Sequence, residues 1–401
     1  MMRRTHRFGP GMLALSLAIA LLPLAGCRSG EQSAPAGGTT AGNAAAAEAP
    51  ARAGALRVDT IASGLEHPWS VALMPDGTFL VTERPGRLRR IDAQGKVSAP
   101  ITGVPAVFAE GQGGLLDVVL APDFATSHRI YLSYAEPGDD DTAGTSVARA
   151  TLGDTALTDV RVIYRQVPKL DGGNHFGSRI AFDGHGHMFI TQGERTRRPM
   201  AQQLDVLQGK LVRLNLDGSV PRDNPFVGRK DARPEIWSYG HRNMQGLAID
   251  PRTGTLWESE HGPRGGDELN LPQPGKNYGW PIITNGIDYS GLRISESIGT
   301  SAPGMESPHH FWAKSPGLSG MAFYTGRPGA AWNDSLFLGS LAESNLIRLT
   351  LKGNTIAGEE RLLTDLGARI RDVRVGNDGK VYVLTDEDDG KLLRLTPPDM
   401  K

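Results

Sequence analysis

A short unit returns six times along the chain, and this recurrence limits the possible folds more than any other feature. Each copy is a turn signal followed by an apolar strand that ends polar. TFLVTE at 78–83 follows Pro75-Asp76-Gly77, RIYLSY at 129–134 follows Asp123-Phe124, and HMFITQ at 187–192 follows Asp183-Gly184. TLWESE at 255–260 follows Asp250-Pro251, SLFLGS at 335–340 follows Trp332-Asn333, and KVYVLT at 380–385 follows Asn377-Asp378-Gly379. Several copies are trailed by a second strand, such as GRLRRI at 86–91, KLVRL at 210–214 and KLLRL at 391–395. The spacing, roughly 45 to 80 residues, predicts an all-β, six-bladed β-propeller of four-stranded antiparallel blades. A β-sandwich also holds many short strands, but it does not call for six recurrences. The last unit can close the ring against the first residues of the domain. Only residues 200–207 offer a short helical turn.

A propeller gathers distant loops at one end of its channel, so the polar residues near each unit belong to one set. That set holds Gln112 in a Gly-rich loop at 110–116, His175 in GGNHFGSR at 172–179, Glu194, Arg242, Asn243, Tyr289, Trp312, Arg369 and Arg371. Strand alternation puts Arg369 and Arg371 on one face. Guanidinium forks, amides and aromatics on one funnel suit a planar polyanion. His175 stands out because Gly flanks its loop. His67, His128, His185, His309 and His310 read as structural or surface residues, and Glu66, His67 and Trp69 as shaping the first blade. His241 and His261 read as supporting groups.

The densest stretch is 234–281, which contains GHRNMQG, EHGPRGGDELN and GKNYGWP. Arg242 and Asn243 offer a donor fork and an amide there. Gly262 and Pro263 leave backbone carbonyls free, and Asp267 and Glu268 follow on what reads as a tight loop. Hard oxygen donors grouped this way suit calcium.

The ends and the balance of charge set the wider frame. Arg3, Arg4 and Arg7 precede an apolar run at 12–22, too short to span a bilayer, and LAGC at 24–27 resembles a bacterial lipobox. That resemblance implies a signal peptide at 1–26 and a lipid on Cys27. The Ala, Gly, Ser and Pro-rich segment within 27–54 reads as a flexible tether, leaving 55–401 as the propeller domain. The lipid would be the only membrane contact, on the periplasmic side of the cell envelope. Arg28, in place of Asp, leans towards the outer membrane. Cys27 is the only cysteine, which excludes an internal disulfide. The net charge of −1 and the lack of a basic run argue against nucleic acid. Zinc-protease, P-loop and serine-hydrolase signatures are absent.

The ordered motifs GLEHPWSVALMPDG, GQGGLLDVVLAPDF, GNHFGSRIAFDG, EIWSYGHRNMQGLA, EHGPRGGDELN, GKNYGWP, SPGLSGMAFY and RIRDV carry a resemblance. From about residue 64 onwards the chain resembles the soluble quinoprotein sugar dehydrogenases, the glucose/sorbosone dehydrogenase family, and above all its aldose sugar dehydrogenase branch. The resemblance implies an enzyme that oxidises aldose sugars to lactones with pyrroloquinoline quinone (PQQ) and calcium, passing electrons to an external non-oxygen acceptor. It implies His175 as general base, with Glu194 orienting it or Arg242. Gln112, Arg242, Asn243, Tyr289, Ser340, Ala342, Arg369 and Arg371 would contact PQQ. Gly262 and Pro263 would bind the PQQ calcium through their carbonyls. Asp267, Glu268 and Tyr278, the last through its carbonyl, would bind a structural calcium. Trp312 would cover cofactor or substrate. The family often carries Lys at the position of Ala342 and Pro at that of Met244, so one cation fewer is implied.

Two other readings fit the propeller. A calcium-dependent lactonase needs a metal with side-chain carboxylates and a base, but not a set of Arg aimed at a polyanion. A lipid-tethered binding propeller explains repeats and tether but leaves the cations without a purpose.

Overall fold

The computed structural model describes residues 56–326 and 329–400. The expected signal peptide, Cys27 and tether lie outside them. The strands sort into six antiparallel sheets, and these are the predicted blades. Their innermost strands are Pro68–Leu73, Leu115–Leu120, Gly177–Phe182, Met244–Ile249, Leu318–Phe323 and Ile370–Val375, for blades I to VI in order. Each innermost strand packs on those of both neighbouring blades, which makes a closed ring.

The six recurrent units all take the second place in their blades, at Phe79–Glu83, Arg129–Pro137, His187–Gln192, Leu256–Glu260, Ser335–Ser340 and Val381–Thr385. Their apolar runs are two faces read alternately. In blade I, Leu80 packs towards blade II, while Phe79 and Val81 pack towards blade VI. In blade III, Met188 and Ile190 face blade II and Phe189 faces blade IV. The core is therefore a set of interfaces between blades. A second strand buried on both sides must be apolar throughout, which is why this strand carries the sequence signal.

Ring closure is as expected. Arg57–Leu65 pairs with Gly390–Thr396 as the outermost strand of blade VI, with Arg57 opposite Thr396. Blade I has three full strands, and residues 97–101 take the fourth place through the bridges Ile91↔Val97 and Leu88↔Ile101 only. Pro100 lies in that segment and has no N–H to extend a ladder. The helical turn expected at 200–207 is a 3-10 helix, Arg198–Gln202, with Pro199 in its first turn.

The third residues of five innermost strands, Ser70, Asp117, Arg179, Gly320 and Asp372, come together across the ring. Arg179 Nη1 lies 2.9 Å from Asp372 and 3.4 Å from Asp117, and Arg374 lies 3.0 Å from Asp117 and 3.3 Å from Asp372. The same carboxylates accept the N–H of Val71 and of Ile180, each at 2.9 Å, and Ser70 Oγ donates to Asp117 at 2.6 Å. Arg179 Nε donates to the Gln245 carbonyl at 2.9 Å. Blade V contributes space. A Cβ on Gly320 would stand 2.2 Å from Asp372 Oδ1 and 2.9 Å from Arg179 Nη2.

This packing predicts a contrast. Gly320→Ala is expected to lower the unfolding free energy by about 1–3 kcal/mol, the usual cost of overpacking. Gly358, on an outer strand, has its nearest neighbour 4.0 Å from an added Cβ. Gly358→Ala is expected to stay within about 1 kcal/mol of wild type, on the stabilising side. Urea midpoints for the two variants test this, and equal midpoints would remove the axial account of Gly320.

Candidate active site

In five of the six blades the first residue of the innermost strand pairs with a residue at the polar end of the second strand, and in blade II Leu115 pairs with Tyr134. Pro68 faces Glu83, Gly177 faces Gln192, Met244 faces Glu260, Leu318 faces Ser340 and Ile370 faces Thr385. All these ends lie at one mouth of the channel, and the site is built from the loops that join there.

His175 lies two residues before Gly177 in a loop without regular structure, with a left-handed φ of 57°. Its N–H donates to Gln112 Oε1 at 2.9 Å, and its Nδ1 lies 2.5 Å from Oε2 of the buried Glu194. A carboxylate at that distance takes the Nδ1 proton as its hydrogen-bond partner, which leaves Nε2 as the acceptor. His175, Gln112, Glu194, Arg242 and Tyr289 line one open cleft of about 820 Å³. Tyr289, 68% exposed, borders a second cleft of about 580 Å³ with Gly262, Pro263 and Ala342. No hydrogen bond ends on the Gly262 or Pro263 carbonyl among the described residues.

Arg242 donates its N–H to Glu260 Oε2 at 2.5 Å and its Nη1 to the His261 carbonyl at 3.1 Å. Asn243 is buried, and its Oδ1 accepts the Gly177 N–H at 3.2 Å, joining blade III to blade IV. Arg371 lies 2.6 Å and Arg369 3.3 Å from Asp386 Oδ2. Burial works against the Asp386 carboxylate, yet Arg371, Arg369 and Arg84 outweigh it and hold its pKa well below the usual range. Arg84 is pushed down by burial and by the other two cations, with only Asp386 opposing. Arg84, Arg369 and Arg371, with Trp69, Gln112 and Gln245, line a cavity of about 140 Å³. The Nε atoms of Arg84, Arg242 and Arg371 are buried without partners. Cations thus exceed carboxylates here, and the donors left over suit an anion.

Beyond Arg242 the sign reverses. Glu258 lies opposite Asn270 and Glu260 opposite Glu268 on adjacent strands of blade IV. His241 Nδ1 lies 3.2 Å from Glu260 and 3.6 Å from Glu258, and its ring stacks on Tyr278 at 4.8 Å. Burial and the neighbouring Glu260 push Glu258 and Glu268 upwards. Glu258 Oε2 and Asn270 Oδ1 are buried and unpartnered. One imidazole cannot neutralise three carboxylates, two of them buried and Glu268 partly so, and the oxygen-rich set suits a hard cation. His261 stays neutral: burial, reinforced by Arg242 and Arg371 against Asp267, lowers it to about 4.

Three expectations are corrected. Asp267 and Glu268 do not share a loop; they lie in the strand Asp267–Asn270, where successive side chains point to opposite faces. The Asp267 carboxylate accepts the N–H of Gly262, Gly317 and Leu318 at 2.8 to 3.1 Å and so anchors loops. Trp312 covers neither cleft; it is buried among Trp257, Leu269 and Leu318 and donates to Glu359 at 3.1 Å. The Ser340 hydroxyl is buried and donates to the Pro316 carbonyl at 2.7 Å, supporting the loop beside Ala342. Sequence reasoning missed Arg84, Asp386, Glu258 and Glu260. Arg84 and Asp386 come directly after second strands, so extending each repeat by one residue finds them. The alternation of Glu258 and Glu260 in TLWESE was the signal for the acidic face.

The comparisons agree with this geometry. The family model for glucose/sorbosone dehydrogenase matches residues 65–394. The aldose sugar dehydrogenase YliI of Escherichia coli (strain K12) is 53% identical over 345 residues, 85% of this chain and 93% of that one. The crystal structure of the soluble aldose sugar dehydrogenase of Escherichia coli in the apo-form is similar with a TM-score of 0.84 at 52% identity, covering 86% of this chain and 100% of the other. The PQQ-bound form of aldose sugar dehydrogenase from Streptomyces coelicolor is similar with a TM-score of 0.70 at 29% identity, covering 87% and 100%. On its sequence, its propeller and these matches, the chain belongs to the glucose/sorbosone dehydrogenase family.

Proposed function

We propose that the protein oxidises aldose sugars at the anomeric carbon to lactones, using PQQ and calcium, and passes the electrons to an external acceptor other than oxygen. The observation that carries this reading is the surplus of buried guanidinium donors beside a His–Glu pair. PQQ is a planar tricarboxylate. Arg84, Arg242, Arg369 and Arg371 supply forks for its carboxylates, Gln112 an amide and Tyr289 a cover. The free carbonyls of Gly262 and Pro263 would hold a calcium beside it. Glu268, with Glu258, Glu260 and the Tyr278 backbone, would hold a second calcium. When bound, PQQ supplies the two-electron acceptor for the hydride.

The residues of the chain do the rest. His175 Nε2 takes the proton of the sugar hydroxyl, and Glu194 fixes the tautomer and stabilises the imidazolium that forms. The low exposure of Glu194 strengthens that bond. The Arg cluster supplies fixed positive field where negative charge develops. Both clefts are open, so selectivity among sugars should be modest. A lactonase metal would need free carboxylates at the axis, but Asp117 and Asp372 there are held by Arg179 and Arg374. Leu24 to Cys27 supports lipid anchoring on the periplasmic side of the envelope, the outer membrane favoured by Arg28.

Titration of the apo-protein with PQQ, with and without calcium and followed by glucose, tests the reading. Calcium-dependent binding and reduction by glucose are expected; no binding would return the lactonase or binding readings. His175→Ala is expected to keep PQQ affinity but lose about 10²–10⁴-fold in turnover, the usual range for a general base. Full turnover in that variant would remove the assignment. Calcium is also expected to raise the thermal unfolding midpoint of wild type, and Glu268→Gln to reduce that gain. An equal gain in the variant would take the second calcium away from Glu268.

A further inference from the structure

The loop at 172–176 carries His175 but has no secondary structure to hold it. Its support comes from the three residues that leave the strand His187–Gln192. Gly193 packs directly beneath, since a Cβ there would lie 2.0 Å from the His175 carbonyl oxygen. Glu194 grips the imidazole. Arg195 is 1% exposed, and it is turned back by left-handed φ angles of 55° and 60° at Arg195 and Thr196. Its Nε donates to the Asn174 carbonyl at 2.8 Å, its Nη2 to the Gly172 carbonyl and its Nη1 to the Ala143 carbonyl. Its guanidinium carbon lies 3.8 Å from the centroid of the Phe176 ring.

We infer that Arg195 is a positioning residue for His175: it fixes the backbone that leads into His175 and packs on the ring of the residue after it, while Glu194 fixes the imidazole. The inference rests on the dehydrogenase reading for its kinetic consequence, but not for its structural one. Among the described residues the guanidinium makes no ion pair, and its hydrogen bonds go to backbone carbonyls. Burying a cation is costly, and an apolar side chain of similar size would serve packing alone at least as well. What an apolar side chain lacks is a rigid planar fork that reaches three carbonyls at once, and Lys lacks it too. Burial, with Arg197, lowers Arg195 to about 10, so it stays charged at neutral pH.

Arg195→Lys is the test, read in two ways. In the apo-protein, amide hydrogen exchange in peptides covering 172–176 is expected to quicken at least about tenfold, while peptides from other blades are unchanged. In the PQQ-loaded enzyme, kcat is expected to fall about 10- to 100-fold, because a small displacement of a reacting group costs that much. PQQ affinity should stay within about threefold. Combined with Glu194→Gln, the losses should not multiply, since both residues act on one loop. Wild-type exchange and kcat in Arg195→Lys would overturn the inference. So would parallel losses in PQQ affinity, exchange protection of every blade and thermal midpoint, which mark a general packing role. Should Arg195→Lys not fold, Phe176→Leu removes only the ring beneath the guanidinium and is read the same way. If wild type turns over no aldose with PQQ, the dehydrogenase reading falls, and the exchange experiment still decides the role of Arg195.

Discussion

The structure depends on four charges at the propeller axis, three of them fully buried and Arg374 partly so. Asp117, Arg179, Asp372 and Arg374 balance one another and are tied to the backbone of neighbouring blades. Removing one member of such a network would strand a buried charge, at a typical cost of about 3–5 kcal/mol. The network also fixes the register of the mouth. Arg179 Nη2 donates to the Arg371 carbonyl at 3.2 Å and Arg179 Nε to that of Gln245. With its backbone held, Arg371 sends its side chain the other way, and its Nη1 meets Gln245 Oε1 at 3.2 Å. The floor of the channel thereby places the groups that form the site.

At the mouth, charge is separated where the axis balances it. Guanidinium groups with one carboxylate gather around Asp386, and carboxylates with one imidazole gather around Glu260. The two clusters meet where the Arg242 N–H bonds Glu260. Neither arrangement favours the empty fold, since like charges facing one another across strands repel. Unbalanced sites of opposite sign, side by side, are what a protein retains when an anion and a cation are to be held together. Ala342 adds no charge to this balance, so the cationic side depends on the Arg groups alone.

The blades could be read from the sequence because one physical demand repeats. A second strand buried on both sides must be apolar along its length and polar where it reaches the mouth, and TFLVTE or HMFITQ shows both. The fourth strand of blade I could not be read, because Ser98 to Pro100 carry no such demand. The candidate site was legible where a loop is glycine-rich around one polar residue, as at His175 and Gln112. It was obscured where neighbours in sequence point apart. Asp267 and Glu268 looked like a pair on a loop, but a strand sends one to the loop anchors and the other to the acidic face. Trp312 and Ser340 lie near the mouth in sequence, yet pairing turns both inwards. Arg84 and Asp386 lie far apart in the chain and become neighbours only through ring closure.

The loop that carries His175 shows what kind of order the mouth has. No helix or strand hydrogen bonds define the conformation of 172–176, and His175 adopts a left-handed φ without being glycine. The loop is determined from outside, by Gln112 on its N–H, Glu194 on its ring and Arg195 on its carbonyls. Such order comes from a few side chains whose own positions are set by the rigid ends of strands. Loops held this way can be open to solvent and still place one nitrogen accurately. For the proposed reaction, this reconciles an open cleft with the need for an aligned proton acceptor.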